Sequence, residues 1–218
     1  MSAQTKYAAM SRRAAMTAAA LAAMATLAGC GGGGANAAAE GDMAMGAAEG
    51  AKVTVIEYAS VTCHVCAAWQ KENWEAFKAA YVDTNKVRYV FRELPTGPVN
   101  VAVAGFMIAR CAGDDKYFDV VHNILASQDE WRAGVNPRDT LFRIGNGAGL
   151  SNQQIEACIK NPDNIKAADE RARASQAAGV EGTPAFFVNG VPVVSPGSAS
   201  GPTMADLSRA IDAELAKN

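Results

Sequence analysis

From Lys52 onward, hydrophobic and polar positions follow two alternating periods. The run Val53-Thr-Val-Ile-Glu-Tyr58 is rich in β-branched and aromatic residues and predicts a buried strand. A long amphipathic segment runs from a cysteine pair at 63 and 66 to Tyr81, with Trp69, Trp74 and Phe77 at near-helical spacing. Residues 87–94 predict a second strand, ended by Pro95 and Pro98. Helical patterning then covers residues 100–112, 116–127, 138–144 and 151–160, the last with Ser151 as N-cap and Ile155 and Ile159 on one face. A further helix over about 163–178 carries Lys166, Asp169, Glu170, Arg171 and Arg173, a mixed charge set that reads as a solvated face, and stops at Gly179. Two apolar runs, 185–188 and 191–194, flank Asn189-Gly190, which is the strongest short-range hairpin signal, and a helix over about 203–216 follows. The order is strand, helix, strand, a block of helices, then helix, hairpin, helix. It predicts an α/β sheet with a helical insertion over about 98–162, inside a domain spanning 52–218.

Upstream of Lys52 this periodicity is absent. Lys6, Arg12 and Arg13 precede an uncharged stretch of Ala, Met, Leu and Thr at 14–28, so residues 1–29 read as an export signal. The stretch is too short and too weakly apolar for a permanent span, which needs roughly 20 apolar residues. It ends Leu27-Ala28-Gly29-Cys30, a run that resembles the lipobox of bacterial lipoproteins. That resemblance implies cleavage before Cys30 and a lipid on it; the alternative is cleavage after Ala35-Asn36-Ala37. Residues 30–51 are Gly/Ala-rich and predict a flexible tether, too short for a dimerisation domain, within which Met43 and Met45 are a weak hint of copper binding.

Composition narrows the function classes. Half of the 218 residues are hydrophobic, enough for a core that needs no metal or disulfide framework. A net charge of -2 and a pI near 5.7 leave no basic footprint for a nucleic-acid partner.

The chemistry concentrates in Cys63-His64-Val65-Cys66, placed where a strand gives way to a helix. Unpaired N–H groups and partial positive charge at a helix N-terminus stabilise a thiolate, and C-x-x-C settings lower a cysteine pKa to roughly 3.5–7.5. His64, when protonated, adds a positive charge beside Cys63. Cys66 lies one turn on, within disulfide reach and more buried, so Cys63 is the expected attacking thiol and Cys66 the resolving one. A structural zinc site needs four ligands in close pairs, and the chain has two histidines, His64 and His122. A disulfide across two intervening residues removes little unfolded-state entropy, which favours chemistry over stapling.

Two motifs together, Val53-Thr-Val-Ile-Glu-Tyr-Ala-Ser60 leading into the cysteine pair and Gly179-Val-Glu-Gly-Thr-Pro-Ala-Phe-Phe-Val-Asn-Gly190, resemble the DsbA-like branch of the thioredoxin superfamily. The resemblance covers residue 52 to the C-terminus. It implies the thioredoxin fold with a helical insertion between the βαβ and ββα halves, and dithiol–disulfide exchange without a cofactor. Pro184 then stands at the family's cis-proline, with Thr183 before it and Val65 opposite, where substrate backbone binds; on local grounds alone Thr183-Pro184 also suits an ordinary trans turn. Glu57 matches the family's buried acid, expected to exchange a proton with Cys66, although strand alternation by itself also allows it to face solvent. Cys111 and Cys158 resemble a second, non-catalytic disulfide of alphaproteobacterial relatives; otherwise each is a buried free thiol. The implied partners are reduced or unfolded exported proteins and a membrane redox partner, with the chain a periplasmic monomer. The family's pattern places Pro then His between the cysteines, and His64-Val65 departs from it, which bears on the direction of electron flow. Rival readings are a reductase or isomerase of the same fold, and a copper-handling lipoprotein using Cys63, His64 and Cys66 as soft ligands.

Overall fold

The computed structural model of the chain describes residue 39 and residues 41–217. The run read as an export signal, Cys30 and the first part of the run read as a tether lie outside the described residues. The strands are β1 (Met43–Gly46), β2 (Thr54–Ala59), β3 (Arg88–Glu93), β4 (Ala185–Val188) and β5 (Val191–Val193). They form one sheet in the order β1-β3-β2-β4-β5, with β2 and β3 parallel and every other pair antiparallel. The helix α1 (His64–Phe77), prolonged by a π turn at Lys78–Val82, makes the crossover from β2 to β3. The insertion then supplies α2 (Val99–Cys111), α3 (Tyr117–Ala126), α4 (Gln128–Arg132), α5 (Pro137–Gly147) and α6 (Asn152–Lys160). Next, α7 (Pro162–Ala177) leads to the β4–β5 hairpin, and α8 (Met204–Ala216) follows it. This is the α/β sheet with a helical insertion that the order of elements predicts, in the thioredoxin arrangement that the resemblance implies.

Strand alternation assigns the faces. Val55, Ala59, Tyr89, Phe91, Phe186 and Val188 point into the main core, which also takes residues from α1, the insertion and α8. Ile56, Tyr58, Val90 and Phe187 point to the opposite face, where a smaller apolar cluster forms. The cysteine pair and the Glu57 side chain lie with the first set, so the insertion packs on the side that carries the chemistry.

The structure corrects the extent of the tether. Met43–Gly46 is an edge strand whose backbone pairs with β3, Met43 opposite Phe91 and Gly46 opposite Arg88. Met43 is buried in the main core, so it is a packing residue and not an exposed metal ligand. The Asp42 carboxylate takes two bonds from the Arg92 guanidinium, at 3.0 and 2.9 Å, which fixes the chain just before the strand. Gly46 sits at φ +83°, and a Cβ there would come within 2.5 Å of the Val87 carbonyl, so the strand must end on glycine.

Two further differences concern the helices. The short α4 does not show in the periodic pattern, because five residues are too few to display a period. At the other end of the insertion, Cys111 closes α2 and is joined to Cys158 of α6 by a disulfide.

Candidate active site

The loop from β2 to α1 is held by hydroxyl groups before it reaches the cysteines. Ser60 Oγ accepts from the Thr62 N–H at 3.3 Å and from the Thr96 N–H at 3.1 Å, and the Thr62 hydroxyl donates to the Thr96 carbonyl at 3.0 Å. These bonds lash the start of α1 to the loop after β3. Cys63 follows as the N-cap of α1 with extended backbone, φ -77° and ψ 113°, and its Sγ accepts the Cys66 N–H at 3.2 Å. A cysteine sulfur thus takes the place that a Ser or Asp oxygen usually fills at a helix start. His64 is exposed at the first helical position and Val65 is partly buried behind it.

The two sulfurs are in opposite electrostatic states. The Cys66 thiol donating to Cys63, with help from the Thr183 side chain and the Cys66 and Val65 N–H groups, outweighs burial and lowers the Cys63 pKa from 9.0 to about 6. Burial first, then the bond to Cys63 and the charges on Cys63 and Glu57, pushes the Cys66 thiol far up. Only 1% of Cys66 is exposed against 8% of Cys63. At neutral pH the pair holds one thiolate at the surface side and one thiol beneath it, and neither cysteine is bonded to the other here.

Glu57, at the centre of β2, faces the core and is buried. Its Oε2 accepts the Tyr89 hydroxyl at 2.5 Å. Burial raises its pKa from 4.5 to about 7; the Tyr89 bond opposes that rise and the charge at Cys63 adds to it. A carboxyl group that changes protonation near neutrality beside a thiol can hand that thiol a proton when it leaves as thiolate. Tyr89 is itself enclosed by Trp74, Phe77 and Phe118, which leaves Glu57 as its hydroxyl's partner.

The second wall is the loop before β4. Thr183-Pro184 is a cis peptide, and the Thr183 carbonyl lies 3.4 Å from the Cys63 sulfur, accepting its proton when Cys63 is a thiol. This loop is backed by the chain after β5: a Cβ on Gly201 would lie 2.9 Å from the Pro184 ring, and Trp69 of α1 donates its indole N–H to the Pro202 carbonyl at 2.8 Å. Trp69 also packs against Phe186 at 4.3 Å between ring centres. The result is a reactive sulfur facing an open carbonyl and a rigid proline, with an acid below.

The family model for thioredoxin matches residues 38–213, about four fifths of the chain. The chain belongs to the thioredoxin family. A protein of Rickettsia conorii, provisionally named a protein-disulfide oxidoreductase, is 37% identical over 158 residues, 70% of this chain and 54% of that protein. Its counterpart in Rickettsia typhi is 35% identical, over 80% of this chain and 62% of that protein. This chain therefore spans little more than half the length of these relatives. Among solved structures, alpha-DsbA1 of Wolbachia pipientis superposes with a TM-score of 0.70 at 23% identity, covering 82% of this chain and 92% of that one. BdbD of Bacillus subtilis in its oxidised form also reaches 0.70, at 12% identity, covering 84% and 98%. These likenesses place the thioredoxin-family domain in the DsbA-like version of the fold.

Of the residues singled out in the sequence, the structure of this thioredoxin-family domain gathers Cys63, Cys66, Thr183, Pro184, Val65 and Glu57 at one end of the sheet. His64 lies beside them, facing solvent. Cys111 and Cys158 are in the insertion, in a cluster with Met107 and Ala168. Three contributors were not visible in the sequence. Tyr89 looks like any core aromatic in a strand. The Ser60, Thr62 and Thr96 hydroxyls act together only once the fold joins two loops. Gln128 of α4 donates its amide to the Val61 and Cys63 carbonyls, and no local pattern marks it. Among the described residues no group of three or more His, Cys, Asp or Glu side chains is arranged to hold a metal ion.

Proposed function

We propose that this chain is an exported thiol:disulfide oxidoreductase that introduces disulfides into other exported proteins. The observation that carries the reading is the Cys63 thiolate at a helix N-terminus, facing the Thr183 carbonyl beside a cis proline, with Cys66 buried behind it. The oxidised pair reacts first. A client thiolate attacks Cys63 Sγ; the Cys63–Cys66 bond breaks, and Cys66 leaves as a thiolate that takes the Glu57 proton. A second client thiolate then attacks the client sulfur of the mixed disulfide and expels Cys63 as a thiolate. The client loses two electrons, and the cysteine pair gains them. A membrane partner of the quinone-linked kind reoxidises the pair. The lipobox-like run supports an anchor on Cys30 and a periplasmic setting, and the shortness of the Gly/Ala-rich run at 31–50 supports a monomer.

The direction of flow is the part of this reading most exposed to test. Stabilising the reduced form of the pair makes the disulfide a stronger oxidant, and the low Cys63 pKa favours that direction. Redox titration against glutathione is expected to give a potential nearer the roughly -120 mV of DsbA than the roughly -270 mV of thioredoxin. The protein is also expected to refold a reduced client oxidatively, and Cys63→Ser to lose that activity. A thioredoxin-like potential with disulfide reduction as the main activity would replace this reading with the reductase one. Stoichiometric copper retention with no turnover would replace both.

A further inference from the structure

The insertion reaches the redox loop through the Gln128 side chain. Gln128 is buried, and its Nε2 donates to the Val61 carbonyl at 2.8 Å and to the Cys63 carbonyl at 3.1 Å. Facing two acceptors, the amide has one possible orientation, and both of its hydrogens are used. Val61 is fully buried, so its carbonyl has no water to turn to. The Cys63 carbonyl also begins the α1 ladder by accepting the Ala67 N–H at 3.1 Å. The amide therefore fixes the backbone on both sides of Thr62, and with it the extended conformation that aims the Cys63 sulfur at the Cys66 N–H.

Gln128 is in turn held in place. The α4 helix has five residues, too few to be stable alone, and is anchored at both ends. Before it, Ser127 donates its hydroxyl to the Ile124 carbonyl at 2.9 Å and caps α3. On its far side Glu130 accepts from Arg143 at 2.7 Å and from the buried Thr140 hydroxyl at 3.1 Å, both on α5. A continuous chain of contacts runs from α5 through Glu130, α4 and Gln128 to the nucleophile.

We propose that Gln128 is a positioning residue of the redox site, pinning the Val61 and Cys63 carbonyls so that the Cys63 sulfur stays over the N-terminus of α1. This rests on the reading of Cys63 as the attacking thiol. Nothing charged is removed by replacing Gln128 with an apolar side chain, so a shift in the Cys63 titration reports the position of the sulfur and not a lost charge.

The test is the pH titration of thiolate absorbance and of alkylation rate in the full reduced protein. Gln128→Met keeps the volume and removes both donors; Gln128→Asn keeps the amide but withdraws it by one methylene. Ile211→Val opens a small gap in the core at α8, outside the contacts that lead to Gln128, and serves as the stability control. Gln128→Met is expected to move the Cys63 transition up by about one pH unit, with Gln128→Asn in between. A tenfold loss of thiolate stabilisation corresponds to about 30 mV in the potential of the pair, in the less oxidising direction. Ile211→Val is expected to lower the melting temperature and leave the Cys63 transition in place. If both Gln128 variants melt earlier but titrate as the parent does, Gln128 only supports the fold and the proposal fails. Should Gln128→Met not fold, an unshifted Gln128→Asn titration overturns the proposal equally. Cys63→Ser separates the two levels: a transition that survives it belongs to another group and sinks the reading of Cys63 itself, whatever Gln128 does.

Discussion

At the scale of single residues, two groups titrate in opposite senses within one site. Glu57 has a folded pKa raised from 4.5 to about 7, so its contribution to stability is complete below about pH 4.5 and is lost as pH rises through 7. Above that, the fold carries a buried carboxylate. Glu57→Gln keeps an acceptor for Tyr89 and never ionises. At pH 8 the variant is expected to be more stable than the parent by about 3 kcal/mol, since each pH unit between the unfolded and folded pKa is worth about 1.36 kcal/mol, and near parity at pH 4. Urea unfolding across that range measures the difference; a constant gap at all pH values would show that Glu57 does not titrate in the fold. The same variant should slow the step in which Cys66 leaves, since a positioned acid is typically worth ~10²-fold or more. Stopped-flow reduction by a client peptide reads that rate.

At the scale of elements, the insertion is stapled by a disulfide and the sheet is assembled from distant parts. The Cys111–Cys158 bond spans a sequence separation of 47, and closing a loop of that size in the unfolded chain is worth at most about 4 kcal/mol. Replacing both cysteines by alanine is expected to cost about 2–4 kcal/mol in denaturant unfolding while leaving the Cys63 titration where it is. A Cys63 transition that moved with the staple would mean that the α2–α6 part of the insertion reaches the site as well as α4. The elements most legible in the sequence carry their signal locally. Residues 53–58 and 87–94 show β-branched runs, and Asn189-Gly190 marks its hairpin by a dipeptide suited to so tight a turn. The Cys63-x-x-Cys66 motif announces the site for the same reason, whereas Thr183-Pro184 stands out only through the resemblance that joins it to the cysteine pair. Where the signal is not local, the sequence is silent. β1 is Met-Ala-Met-Gly in a Gly/Ala-rich setting, and what makes it a strand is backbone pairing with β3, far along the chain. α4 and Gln128 gain meaning only from the loop they meet.

At the scale of the whole molecule, stability depends on redox state. Only the reduced protein gains from the Cys63 thiolate, whose pKa is lowered from 9.0 to about 6. That contribution is complete above about pH 9 and is lost as pH falls through 6, with a slope approaching about 1.4 kcal/mol per pH unit between the two. Burial, the largest cause of the Glu57 shift, does not depend on the redox state of the pair, so Glu57 largely cancels from the comparison. In paired unfolding curves, the stability of the reduced protein relative to the oxidised one is therefore expected to fall steadily from pH 9 to pH 6. A gap independent of pH would mean Cys63 is not the group that ionises.

The docking of β1 against β3 also sets a distance. A tether running to residue 51 would let the domain roam widely from any anchor at Cys30. With Ala39 already bonded to Asp42 and Asp42 clamped to Arg92, the chain left between Cys30 and the folded body is residues 31–38. Fully extended, such a segment spans about 30 Å at ~3.5 Å per residue. With a lipid on Cys30, as proposed above, the Cys63 sulfur would be confined to a shallow layer next to the bilayer. Such an enzyme would meet its clients as they emerge from the membrane and its redox partner on every turnover, and would seldom reach proteins deeper in the compartment.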